Sequence, residues 1–155
     1  MKSHKLGKYQ ILISEDVLGL LAKHKQVKFH QKESGGILLG QVRGNEIYIL
    51  KATVPSLHDK ATRTTFDRNK QKSQIIIDYE FSNSDQRTIY LGEWHTHPEK
   101  YPTPSSTDLK MIKDQYAKNV LNEPFLILVI QGTKGIYLGL LSRKGLRYKM
   151  VSCTL

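Results

Sequence analysis

Glu93-Trp94-His95-Thr96-His97-Pro98, followed at a short distance by Ser105-Ser106-Thr107-Asp108, is the stretch that decides the reading of this chain. In a β-strand alternate side chains share a face, so His95 and His97 aim their imidazoles at one point. Thr96 and Trp94 face the other way, and Trp94 reads as core packing. Pro98 cannot donate to a sheet ladder and ends the strand. Tyr101-Pro102-Thr103-Pro104 forces a bend, after which Ser105, Ser106 or Thr107 can cap a new helix. Asp108 then falls in the first helical turn, where an anion is favoured, and can swing back toward the histidines. Two imidazoles and one carboxylate form a three-ligand shell that leaves a zinc ion one open position. An open position marks a catalytic site rather than a structural one.

A candidate proton acceptor lies upstream. Glu33-Ser34-Gly35-Gly36-Ile37-Leu38-Leu39-Gly40 sets a lone acid ahead of a glycine pair and an apolar, strand-like run. A carboxylate beside a metal, but not bound to it, suits general-base work and typically contributes about 10²–10⁴-fold. Ser105 could donate a hydrogen bond to an oxyanion. Taken alone, Glu33 reads at least as well as an ordinary loop or helix-end carboxylate, and Ser105 as a plain helix cap. His4, His24, His30 and His58 read as surface or hydrogen-bonded residues.

Together these residues (Glu33 before Gly-Gly and a strand, then His-Thr-His-Pro, then Ser-x-x-Asp) resemble the JAMM motif of the JAB/MPN metalloprotease family. The resemblance implies one zinc ion per chain held by His95, His97 and Asp108, with Glu33 as general base and Ser105 as the oxyanion-side donor. It also implies an MPN/JAB-like α/β fold of cytidine-deaminase-like architecture. Members of the family hydrolyse isopeptide or peptide bonds after the C-terminal tail of ubiquitin-like or related modifier proteins. The fuller strings Gly92-Glu93-Trp94-His95-Thr96-His97-Pro98 and Pro102-Thr103-Pro104-Ser105-Ser106-Thr107-Asp108-Leu109 are similar to the short JAB peptidases of bacterial CBASS anti-phage operons. That likeness implies release of a nucleotidyltransferase (CD-NTase) from proteins to which its C-terminus has been conjugated. The substrate tail is expected to lie extended beside a strand edge, where backbone pairing gives affinity. Three rivals compete with this reading: a catalytically silent MPN scaffold, a DNA-associated RadC-like protein and a metal buffer. The complete ligand set speaks against the first, and the Glu33-Ser34-Gly35-Gly36 entry against the second. The open coordination position speaks against the third.

Composition agrees with an enzyme of one domain. The chain has 155 residues, 39% of them hydrophobic, enough for a buried core. We expect a single JAB/MPN domain over 1–155. No apolar stretch approaches the roughly 20 residues needed to span a bilayer. The basic start, Met1 to Lys8, lacks the apolar run of a signal peptide. The single cysteine, Cys153, excludes an internal disulfide and fits a cytoplasmic protein; it reads as a small core or tail residue. The net charge of +10 comes from lysines scattered along the chain. It fits a solvated basic surface or an acidic protein partner better than a nucleic-acid site.

Along the chain, Tyr9–Ile13 reads as an edge strand and Ser14 as the cap of a helix that frays by Gln26 to Phe29. Residues 37–43 and 46–54 read as a hairpin around Gly44-Asn45. Pro55 to Thr65 reads as a loop, and 67–81 as a helix capped by Asp67. Thr88 to His97 is the ligand-bearing strand. Leu109, Ile112, Tyr116 and Val120 recur at helical spacing. Phe125–Ile130 reads as a fully buried strand, and 135–141 with 146–153 as a terminal meander. The predicted order is β-α-β-β-α-β-α-β-β-β: a mixed, mostly antiparallel sheet flanked by helices.

Overall fold

The computed structural model describes residues 1–153. It opens with β1 (Lys2–Leu6), β2 (Tyr9–Ile13) and α1 (Glu15–Lys23), followed by β3 (Gly35–Arg43) and β4 (Glu46–Ala52). Two short strands, β5 (Lys60–Ala61) and β6 (Phe66–Asp67), precede α2 (Lys70–Asn83). Then come β7 (Ile89–Thr96), α3 (Ser106–Lys118), β8 (Phe125–Gln131), β9 (Gly135–Ser142) and β10 (Gly145–Ser152). Eight strands form one sheet in the order β1-β2-β4-β3-β7-β8-β9-β10. Only the β2/β4 and β7/β8 pairs are parallel, so the mixed, mostly antiparallel sheet expected from the sequence is present.

The strand β8 shows how the two faces are filled. Phe125, Ile127 and Val129 belong to the main core with Ile11, Leu21, Ile49 and Trp94, whereas Leu126, Leu128 and Ile130 pack with Ile112 of α3. Its unbroken apolar run is what a strand covered on both faces requires. Trp94 is buried in the main core, and its indole N–H donates to Thr53 O at 2.9 Å. A buried indole needs such a partner.

Four expectations need correction. Tyr9–Ile13 is not the edge: β1 pairs outside it, from Lys2↔Ile13 to Leu6↔Tyr9. Of β1 only Leu6 is buried, so the strand stands on backbone pairing and carries no hydrophobic signature. The 55–65 segment is not wholly loop, because Lys60–Ala61 pairs with Phe66–Asp67. That ladder occupies Asp67, and the α2 cap is Asn69, whose side chain accepts from Lys72 N at 2.8 Å. Finally, Val120 lies outside α3 and is fully exposed, because Asn119 turns to extended backbone and ends the helix at Lys118.

Candidate metal centre

The strand β7 lies in the middle of the sheet, with Gly35 of β3 opposite His95 on one side and Ile130 of β8 on the other. His97 sits just past its end, held by a bond from its N–H to Gln131 O at 3.1 Å. Both histidines are buried, with ring centroids 5.0 Å apart. Ser105 caps α3 by accepting from Asp108 N at 3.0 Å, and the Asp108 carboxylate returns the bond, accepting from Ser105 N at 2.8 Å. This reciprocal capping box fixes the first turn of the helix and turns the Asp108 carboxylate toward β7. Of the three capping candidates, the chain uses Ser105.

Asp108 Oδ1 lies 3.1 Å from His95 Nε2, and Oδ2 lies 3.0 Å from His97 Nε2. His95 Nε2 is buried, yet it has no hydrogen-bond partner. Ligand atoms around a tetrahedral zinc at ~2.0–2.1 Å stand about 3.3 Å apart, close to these separations. A buried ring nitrogen that makes no well-aligned hydrogen bond, beside a carboxylate at that spacing, fits a cation between them. The Glu33 carboxylate completes the group: its oxygen and one nitrogen of each histidine all lie within 4.8 Å of one another, a cluster that could hold a metal ion. The structure thus brings Glu33, His95, His97 and Asp108 together. Ser105 stands at the rim, exposed, and its capping bond uses the hydroxyl as acceptor, leaving its proton free to donate.

The electrostatics follow from burial among charges. Burial pushes the Glu33 carboxyl up to about 8, with His97 opposing and Asp108 reinforcing. Burial would also raise Asp108, but the two imidazoles hold its carboxyl well below the usual range. Burial opposes protonation of His97, yet the Asp108, Glu33 and Glu99 carboxylates outweigh it and lift the imidazole above its ordinary value.

The glycine pair explains how β3 passes beneath the neighbouring segments. A Cβ on Gly35 would lie 2.5 Å from the Phe66 ring, and one on Gly36 would lie 2.4 Å from Thr53 O. Because that oxygen also accepts from Trp94, it cannot retreat. Gly36→Ala is therefore expected to destabilise the fold by about 1–3 kcal/mol through overpacking, read as a lower urea midpoint at unchanged slope.

Residues 14–138 match the family of prokaryotic homologues of the JAB domain. A CD-NTase/cGAS isopeptidase from Escherichia coli is 35% identical over 92% of this chain and 90% of its own length. The chain belongs to the prokaryotic JAB-domain family. A second CD-NTase/cGAS isopeptidase, from Vibrio cholerae, is 32% identical over 83% of this chain and 80% of its own. A probable metalloprotease from Sinorhizobium fredii is 25% identical over 93% of this chain and 92% of its own. In fold, the chain is similar to a solution structure from Desulfitobacterium hafniense, with a TM-score of 0.61 at 17% identity, covering 90% of this chain and 89% of that one. The fold is MPN/JAB-like and the chain is a JAB-type hydrolase, for which family and metalloprotease relative alike suggest a metal.

Three features of this JAB site lay beyond the sequence reading. Glu99 accepts a 2.9 Å hydrogen bond from His97 Nδ1, and Nε2 faces Asp108 Oδ2 at 3.0 Å. The backbone of Glu99 is itself pinned by Thr133 N at 2.9 Å. Such a carboxylate behind a metal-binding histidine fixes the ring and its tautomer. Glu99→Ala is expected to weaken metal affinity about 10–100-fold, measured by competition with a chelator. A second feature is the buried pair of Arg68 Nε and Glu93 Oε1 at 2.5 Å, with Tyr90 donating to Glu93 Oε2 at 2.9 Å. Glu93 shares the His95 face of β7, so this network ties the segment between β6 and α2 to β7. The third is Gln26, a buried amide bonded to Thr96. Among the other histidines, His30 and His58 are exposed and His24 Nδ1 pairs with Leu20 O at 2.8 Å. His4 departs from expectation, being half-buried with an unpartnered Nε2. Cys153 packs at the core margin and accepts from Gln131 Nε2. Among the described residues, no helix is long and apolar enough to cross a membrane.

Proposed function

We propose that this chain, as one JAB domain over 1–155, is a zinc-dependent deconjugating peptidase. It would cleave the bond after the C-terminal tail of a conjugated protein. The observation that carries the reading is the convergence of His95, His97 and Asp108 with the Glu33 carboxylate beside them. Two imidazole nitrogens and one carboxylate are the donor set of a catalytic zinc with an open position. Zinc bound there supplies Lewis acidity for the scissile carbonyl and lowers the pKa of a water molecule to about 7. His95, His97 and Asp108 would hold the ion, and Glu99 fixes the His97 ring through Nδ1. Glu33 takes the proton of the attacking water and passes it to the leaving amine. A carboxyl raised by burial holds a proton well enough to deliver it near neutral pH. Ser105, with its hydroxyl proton uncommitted, donates to the developing oxyanion.

The substrate is a protein, as for the isopeptidase relatives, and the CD-NTase of an anti-phage operon is the first choice among conjugated partners. The single cysteine fits a cytoplasmic setting. The reading is tested with two fusions, one carrying a CD-NTase tail and the other a ubiquitin-like tail, each joined to a reporter. Cleavage at the CD-NTase junction is expected. Zinc-loaded protein that cuts neither fusion, together with steeply salt-dependent DNA binding, would transfer belief to the RadC-like reading.

A further inference from the structure

One buried amide joins the three segments that surround Glu33. Gln26, just past the end of α1, is only 3% exposed. Its Oε1 accepts from Thr96 Oγ1 at 2.8 Å, while its Nε2 donates to Arg63 O at 2.9 Å and to Gln31 O at 3.1 Å. Both amide hydrogens and the carbonyl are thus committed to different parts of the chain. The Thr96 hydroxyl has a single proton, and giving it to Gln26 turns a lone pair toward Ser34 N, which donates to it at 2.9 Å. Thr96 N donates in return to Ser34 O at 2.9 Å, and Glu33 N donates to Thr62 O at 2.7 Å. The peptide groups on both sides of the Glu33 Cα are therefore fixed. One is held by the β5–β6 turn, the other by the residue between the two histidines.

We propose that Gln26 is a positioning residue that sets the Glu33 carboxylate against the His95–His97–Asp108 cluster by locking both neighbouring loops to Thr96. The inference rests on the reading of Glu33 as the proton acceptor. No other uncharged side chain of that length offers one acceptor and two donors, which is why a buried glutamine suits the junction. A Gln26→Met change keeps the volume and removes all three bonds, freeing the loops to drift. Displacements near 1 Å at a reacting centre cost on the order of 10²-fold in rate.

The test compares wild type, Gln26→Met, Glu33→Gln and the double variant, each zinc-loaded, on the tail fusion. Gln26→Met is expected to lower kcat about 10–10²-fold with zinc content unchanged. In the Glu33→Gln background it should lower the residual rate no further, since residues acting as one unit are non-additive. Should Gln26→Met fail to fold, Gln26→Asn, polar but too short to reach all three partners, is read in the same way. Amide hydrogen exchange at Glu33 and Ser34 gives a readout independent of activity, and both amides should exchange faster in the variant while those of β8 do not. A wild type that cleaves nothing would sink the functional reading and leave this exchange difference standing. Unchanged exchange at Glu33 and Ser34, or an equal rate loss in both backgrounds, would overturn the positioning role.

Discussion

Glu33→Gln is expected to lose about 10²–10⁴-fold in cleavage rate while keeping its full complement of zinc. The substitution preserves shape and leaves His95, His97 and Asp108 untouched; what it removes is the ability to accept a proton. Burial raises the carboxyl to about 8, which makes its carboxylate a stronger base than an exposed one. The backbone at Glu33 and Ser34 is held by Thr62 and Thr96, so the amide replacement should sit where the carboxylate sat. A loss confined to kcat, with KM unchanged, would mark an interaction made in the transition state. Wild-type turnover from Glu33→Gln would remove Glu33 from the chemistry. Loss of zinc in the same variant would recast it as a ligand, an alternative raised by its lying within 4.8 Å of the histidine nitrogens.

Asp108→Ala is expected to have the second-largest effect, because one carboxylate serves two tasks. It stands 3.0–3.1 Å from the two histidine nitrogens and also closes the capping box with Ser105. Loss of the capping bond costs about 1 kcal/mol of helix stability. Loss of the metal is larger: free zinc at about 100 times its Kd stabilises the folded state by about 2.7 kcal/mol. A chelator should therefore lower the melting temperature of wild type and leave Asp108→Ala unmoved. Ser105→Ala separates the two tasks, since it weakens the cap but should retain the response to chelator. A chelator response in Asp108→Ala equal to that of wild type would refute its part in metal binding.

The convergence of His95, His97 and Asp108 was legible because each step rests on a local rule. Strand alternation sets two residues on one face, prolines force the turn, and a capping serine starts the helix. Gln26 and Glu99 were not legible. Gln26 works through Thr96, Arg63 and Gln31, and nothing in a run of Lys25-Gln26-Val27 announces a buried amide with three partners. By residue type Glu99 is one more charge after a proline, and only the pinning of its backbone by Thr133 shows why it reaches His97. The strand β1 was missed for a related reason: an edge strand paired through its backbone needs little apolar side chain, and Leu6 is its one buried residue. Asp67 and Asn69 are both good caps by residue type, and the choice between them was made by a ladder with Lys60. Helical spacing also carried Val120 into α3, although the chain had already left the helix at Asn119.

The most direct test of the central claim is zinc-edge X-ray absorption of the stoichiometrically loaded protein, compared across wild type, Asp108→Ala and Glu33→Gln. The account predicts two nitrogen ligands and a carboxylate oxygen at ~2.0–2.2 Å in wild type. The carboxylate should be lost in Asp108→Ala, and the spectrum of Glu33→Gln should match that of wild type. A spectrum unaltered by Asp108→Ala but changed by Glu33→Gln, or no stoichiometric zinc in any of the three, would contradict it.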